Sequence, residues 1–222
     1  MPTGRRDGLT SNLRDADVLP DAGDSISVLR SRFAASGLDD RDLVLLTGRY
    51  LQSFTLTCMD MDAASRLSLT LHWCKRTRPA AAAHTVGTTA CFFVKDRLYS
   101  YPLPGGGRGA DPSIPAPFLA ELKARCPPGD FNTRLPLDRG SGTDFDDSIL
   151  RNIRSGFAVI ASDAALANSN ATRALVDAYL GPSARSFERD FAAAMVKMGT
   201  IGAITGDDAG EVRDVCSAFN TN

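Results

Sequence analysis

The chain has 222 residues, 43% of them hydrophobic, which is enough for one globular domain with a buried core. With 25 basic and 26 acidic residues the net charge is −1, which offers neither nucleic acid nor an anionic membrane a reason to bind. No run of about 18 apolar residues occurs, so no transmembrane helix is expected. The opening MPTGRRDGLTSNLRDAD is charged and lacks an apolar stretch, so it is not expected to act as a secretory signal.

In chain order, the pattern is one of short helices joined by turns rich in Gly, Pro and Asp. Asp24-Ser25 can cap a helix in which Ile26, Leu29, Arg30 and Phe33 share one buried side, with a stop at Gly37. Asp39-Asp40 opens a second apolar run, Leu43-Val44-Leu45-Leu46, closed by Thr47-Gly48. Further helical segments are expected at 89–99, 115–125, 145–155, 163–167 and 172–180. The longest follows Pro182 and carries Phe187, Phe191, Met195 and Met198 at steps of three and four. Residues 104–113 are dense in Gly and Pro and read as a mobile turn. The fold class expected is all-α, with no internal repeat.

Residues 49–82 break this pattern. Leu67-Ser68-Leu69-Thr70-Leu71 alternates with period two, as a strand does. The same stretch holds Trp73, the only tryptophan, together with His72, Cys58 and Cys74. Removing it joins Leu-Val-Leu-Leu-Thr-Gly directly to Ala83-His84-Thr85-Val86-Gly87. Residues 49–82 are therefore expected to be inserted sequence, such as a retained intron, with a genuine surface loop as the alternative.

Chemistry-bearing residues are few. His84 taken alone is more often a hydrogen-bonded structural histidine than a metal ligand. Cys58, His72, Cys74 and His84 lack the close paired spacing of a zinc site. Asp163 alone would serve as a helix cap. The run Asp138-Arg139-Gly140-Ser141-Gly142-Thr143-Asp144-Phe145-Asp146 offers carboxylates at Asp138 and Asp146 and a hydroxyl at Ser141. With the hydroxyl of Thr85 these are the hard oxygens that calcium takes six to eight at a time, although such a loop is more often simply solvated. Five cysteines leave one without a partner inside the chain.

Several of these pieces stand in one order: Gly4-Arg5-Arg6-Asp7-Gly8, Val18-Leu19-Pro20, Ala83-His84-Thr85-Val86-Gly87 and Ser162-Asp163. Together they resemble the proximal half of a class III plant peroxidase, a secreted haem enzyme, over residues 2–48 and 83–222. The resemblance implies the haem peroxidase fold, in its proximal half only, as a single partial domain over 1–222 with 49–82 atypical. It implies one haem b whose iron is ligated by His84, with Asp163 accepting a hydrogen bond from the other ring nitrogen and raising the basicity of the imidazole. It implies a proximal Ca2+ held by Thr85, Asp138, Ser141 and Asp146. Ser141 stands where threonine is common, and Asp144 occupies a position used through its carbonyl. Pro20 would border the channel for aromatic donors, and Phe93, Leu137 and Ile160 would line the proximal pocket. Cys91 and Cys126 would form a disulfide contributing about 3–4 kcal/mol through loop closure. Cys216 would be the cysteine left without a partner. The activity implied is reduction of hydrogen peroxide with oxidation of small phenolic donors, by a secreted monomer. Asn170-Ala171-Thr172 is an N-glycosylation sequon, relevant only on that secretory route.

In the family, the distal histidine and arginine that cleave the peroxide bond lie upstream of the GRRDG segment, as does a second calcium site. No such helix is present, and His72 is the only other histidine. A positioned acid–base group contributes roughly 10²–10⁴ in rate, and electrostatic stabilisation about 10²–10³ more. The alternative expectation is thus a non-catalytic remnant with little or no peroxidase turnover.

Overall fold

The computed structural model describes residues 6–10, 12, 14, 17–46, 84–182, 184–206, 210–215 and 218–220. Residues 49–82, expected as inserted sequence and holding Cys58, His72, Trp73 and Cys74, lie outside the described residues, as do Gly4, Arg5 and Cys216.

The first helix, α1 (Ile26–Ala35), begins where Ser25 accepts a hydrogen bond from the Val28 amide at 3.4 Å. It buries Leu29 and Phe33. Arg30, expected on that side, instead turns outward and forms a two-pronged pair with Asp40 at 2.7 and 2.8 Å. Helix α2 (Asp40–Leu46) starts with a reciprocal cap. The Asp42 amide donates to Asp39 Oδ1 at 2.8 Å, and the Asp39 amide donates to Asp42 Oδ2 at 3.0 Å. Its residues from Asp42 to Leu46 are all buried, because α1, α7 and α8 enclose it.

The segment expected as one helix over 89–99 is divided. Residues Thr88–Ala90 form strand β1, Cys91–Phe93 a 3-10 turn, and Lys95–Tyr99 helix α3. The hairpin β2 (Tyr101–Pro102) and β3 (Arg108–Gly109) comes next, with β3 inside the stretch read as a mobile turn. Helix α4 (Ala116–Arg125) precedes β4 (Arg134–Pro136), which pairs antiparallel with β1, Thr89 opposite Leu135. Helices α5 (Ser148–Arg154), α6 (Ala161–Ala165), α7 (Asn170–Asp177) and α8 (Phe187–Met198) complete the order. Among the described residues the protein is mainly helical, as expected, with these two small sheets added.

Burial falls into two clusters. One is formed by α1, α2 and α5 to α8, around Leu29, Leu43, Leu45, Leu46, Ile149, Leu150, Phe187 and Phe191. The other surrounds the Cys91–Cys126 disulfide and holds Val94, Leu98, Phe118, Leu122, Leu135, Leu137, Val159 and Ile160. Ala158 belongs to the first and Val159 to the second, so the chain crosses between them there. Phe145, ahead of α5, rests on Phe187 and Phe191 with ring centres 5.4 and 5.0 Å away.

At the edge, the Arg6 amide donates to the Ile204 carbonyl at 2.9 Å, and Asp7 and Glu211 exchange backbone bonds at 2.7 and 2.9 Å. Gly210, at φ +70°, is required there, since a Cβ would collide with the Asp7 carbonyl. The described part of the GRRDG segment is thus a strap onto the last third of the chain.

Candidate functional site

His84 sits where the chain emerges toward β1. Gly87, at φ +113°, makes the turn that an L side chain would strain. Its amide donates to Gly142 O at 3.0 Å, and its carbonyl accepts from the Leu137 amide at 3.1 Å. The histidine segment is thereby fixed to the loop that follows β4.

His84 is 6% exposed and Asp163 fully buried. The Nδ1 of His84 lies 2.9 Å from both carboxylate oxygens of Asp163, 79 positions along the chain. Asp163 is delivered by α6, whose entry is held by a bond from the Ser162 amide to Ala22 O at 2.8 Å. A carboxylate can only accept, so Nδ1 carries the proton, and in the neutral ring Nε2 presents its lone pair. Among the described residues, none makes a hydrogen bond to Nε2. A ring held in this way is what a metal-ligating histidine requires.

One residue on, Thr85 is fully buried. Its Oγ1 lies 3.1 Å from Asp138 Oδ2, 3.3 Å from Asp144 O and 3.2 Å from Asp146 Oδ1. A hydroxyl has one hydrogen, so these three acceptors have to share it. The contacts bring several acceptor oxygens close together, the kind of hard donor that a cation such as calcium takes. Ser141 Oγ joins at 2.6 Å from Asp146 Oδ2. Burial, and after it the charge of Asp146, push the Asp138 carboxyl above the ordinary carboxylate range despite hydrogen bonds from Ser148, Thr85 and Asn152. For Asp146, burial also pushes upward, but donors from Ser141, Ser148 and Thr85 outweigh it and leave its pKa lowered. A divalent cation would relieve the repulsion between the two carboxylates.

Residues 1–181 match the peroxidase family. The chain belongs to that family. It is similar to Peroxidase 43 of Arabidopsis thaliana, 45% identical over 99% of this chain and 57% of the relative. Peroxidase 13 of the same plant is 40% identical over 99% of this chain and 57% of its own length. Peroxidase N1 of Nicotiana tabacum is 37% identical over 99% of this chain and 56% of its own length. The chain therefore spans a little over half the length of the curated relatives it matches. The class III plant type implied by the sequence motifs agrees with these relatives.

The remaining expected residues occupy varied settings. Cys91 and Cys126 are joined as expected, with Cα atoms 5.5 Å apart. Leu137 and Ile160 are buried together beside the disulfide, whereas Phe93 is 37% exposed. Pro20 is half-buried, next to exposed Val18 and Leu19. Asn170 of the sequon is exposed, while its Thr172 is fully buried and donates to Leu166 O at 2.6 Å. No helix among the described residues is long and apolar enough to cross a membrane.

Sequence reasoning missed the groups that hold Asp138. Asn152 Nδ2 donates to its Oδ1 at 2.5 Å, and Ser148 donates to its Oδ2. Both sit on α5 four residues apart, on one face, and that spacing was the available signal. It also missed the buried pair of Arg97 and Asp111, bonded at 2.8 Å.

Proposed function

We propose that this chain supplies the proximal, haem-holding part of a class III peroxidase that reduces hydrogen peroxide while oxidising small phenolic donors. The observation that carries the reading is the buried pair in which both Asp163 oxygens lie 2.9 Å from His84 Nδ1. His84 would hold the iron of haem b through Nε2. Bound haem supplies the redox chemistry on peroxide. Asp163 keeps the Nδ1 proton and orients the ring, and its negative charge strengthens the ligand. Thr85, Asp138, Ser141 and Asp146 would hold Ca2+, which fixes the segment next to His84. Pro20 would border the donor channel, with Leu137, Ile160 and Phe93 on the haem side.

We further infer a single partial haem peroxidase domain over 1–222 in which 49–82 is added sequence. The reading includes a secreted monomer acting on small molecules, with neither nucleic acid nor membrane as partner. The Cys91–Cys126 disulfide, which persists in oxidising compartments, and the near-balanced charge support it.

The histidine count favours a second reading. The chain has 2 histidines, and with His84 engaged to Asp163 only His72 remains for acid–base work on peroxide. A haem-holding chain with little or no turnover of its own is consistent with that. An absorption titration of the purified protein with haem, repeated on His84→Ala, tests the main reading. A histidine-ligated Soret band present in the wild type and lost in the variant is expected. Identical spectra from both would overturn it. Stopped-flow addition of peroxide to the haem-loaded chain separates the two readings, since near-normal turnover would eliminate the second.

A further inference from the structure

We propose that Arg97 is the positioning residue for Asp163, acting as a clamp across the two cores of the protein. Its guanidinium is 3% exposed and faces Asp111 with Nε and Nη2, both at 2.8 Å. Nη1 donates to three successive carbonyls, Ala158 at 2.6 Å, Val159 at 3.0 Å and Ile160 at 3.3 Å. Ile160 is the residue that caps α6, and Asp163 is the third residue of that helix. The clamped tripeptide is also the point where the chain passes from the helical core to the disulfide core.

The other end of the clamp belongs to the histidine. Arg97 lies on α3, which follows His84 through β1 and the turn at Cys91. The Arg97 carbonyl accepts from the Asp111 amide at 2.7 Å, and Ser113 donates to Asp111 Oδ1 from its amide at 2.9 Å and its hydroxyl at 2.7 Å. The charge is therefore satisfied on one side and spent on backbone carbonyls on the other. A planar guanidinium can span a carboxylate and three carbonyls at once, whereas an ammonium of similar reach cannot. Without Arg97, the backbone leading into α6 would lose the shared fixed point that it has with the segment bearing His84. The bearing of the clamp on catalysis rests on the haem reading of His84, whereas its bearing on geometry does not.

Proton NMR of the full metal-free chain, labelled with ¹⁵N-histidine, reads the geometry directly. His72→Gln assigns the two rings. The wild type should show a downfield Nδ1–H resonance for His84 that Asp163→Ala removes. In Arg97→Lys its exchange with solvent should accelerate roughly tenfold or more, the scale of losing one charge-assisted hydrogen bond. Arg97→Met should accelerate it further. Arg41→Met, which breaks the separate cluster with Tyr179 and Asp190, should lower stability and leave the resonance in place. An unchanged resonance and exchange rate in folded Arg97→Lys would overturn the proposal, even where Arg97→Met fails to fold. A wild type lacking the resonance would overturn it as well. Loss of haem binding with the resonance intact would instead remove the haem reading and leave the clamp standing.

Discussion

The two cores hold themselves together by different means. The helical core is dominated by large aliphatic and aromatic side chains contributed by six helices, and α2 is buried along nearly its whole length. The disulfide core is smaller and is assembled from a 3-10 turn, the five-residue α3, the ten-residue α4 and a three-residue strand pair. It has a covalent staple at Cys91–Cys126 and a buried ion pair at Arg97–Asp111. Where helices enclose one another, burial dominates and ion pairs such as Arg41–Asp190 and Lys197–Asp42 join α2 to α8 at its rim. Where helices meet turns and strands instead, a covalent bond and a buried ion pair help fix the arrangement. His84 and Asp163 meet across the boundary, so the site depends on both solutions.

That contrast predicts a graded set of responses. The largest belongs to Arg97→Met, which leaves Asp111 buried without its partner and should cost about 3–5 kcal/mol in chemical denaturation. A variant with an unchanged midpoint would show that the second core does not need the pair. Replacing both Cys91 and Cys126 by alanine should cost about 3–4 kcal/mol. Hydrogen exchange should then quicken in α3 and α4 before α2 and α8, and simultaneous loss would erase the distinction between the cores. Acid should act selectively too. Burial raises the Asp111 carboxyl, but Ser113 and Arg97 outweigh that and hold its pKa below the ordinary 3.8. Its contribution is therefore complete above pH 3.8 and is lost as pH falls through the lowered native value. Asp111→Asn should flatten that part of the acid limb, and an unaltered pH profile would count against it. Smallest of all, Arg30→Ala removes an exposed pair with Asp40 and should leave the midpoint where it is.

The helical core was the more legible part of the sequence. The caps at Ser25 and the spacing of Phe187, Phe191 and Met195 specify α1 and α8 locally, and both helices lie where that pattern places them. Arg30 shares the apolar spacing, yet its charge found Asp40 outside the core. Strand β1 was not legible, because its partner β4 is more than 40 residues away and neither strand exceeds three residues. Asp111 was hidden in a stretch rich in Gly and Pro whose composition signals a turn and says nothing of burial. His84, Asp163 and the oxygen cluster became readable as a set only through the family motifs, since each alone has a commoner structural role.

The contact of Phe145 with α8 gives the oxygen-rich loop an optical voice. Phe145 lies between Asp144 and Asp146, two residues whose oxygens face Thr85, and its ring rests on Phe187 and Phe191. A rearrangement of those oxygens around the proposed ion would change the mutual orientation of the three packed rings. The near-ultraviolet dichroism of the phenylalanines would thereby report on the proposed ion at a cluster that contains no chromophore.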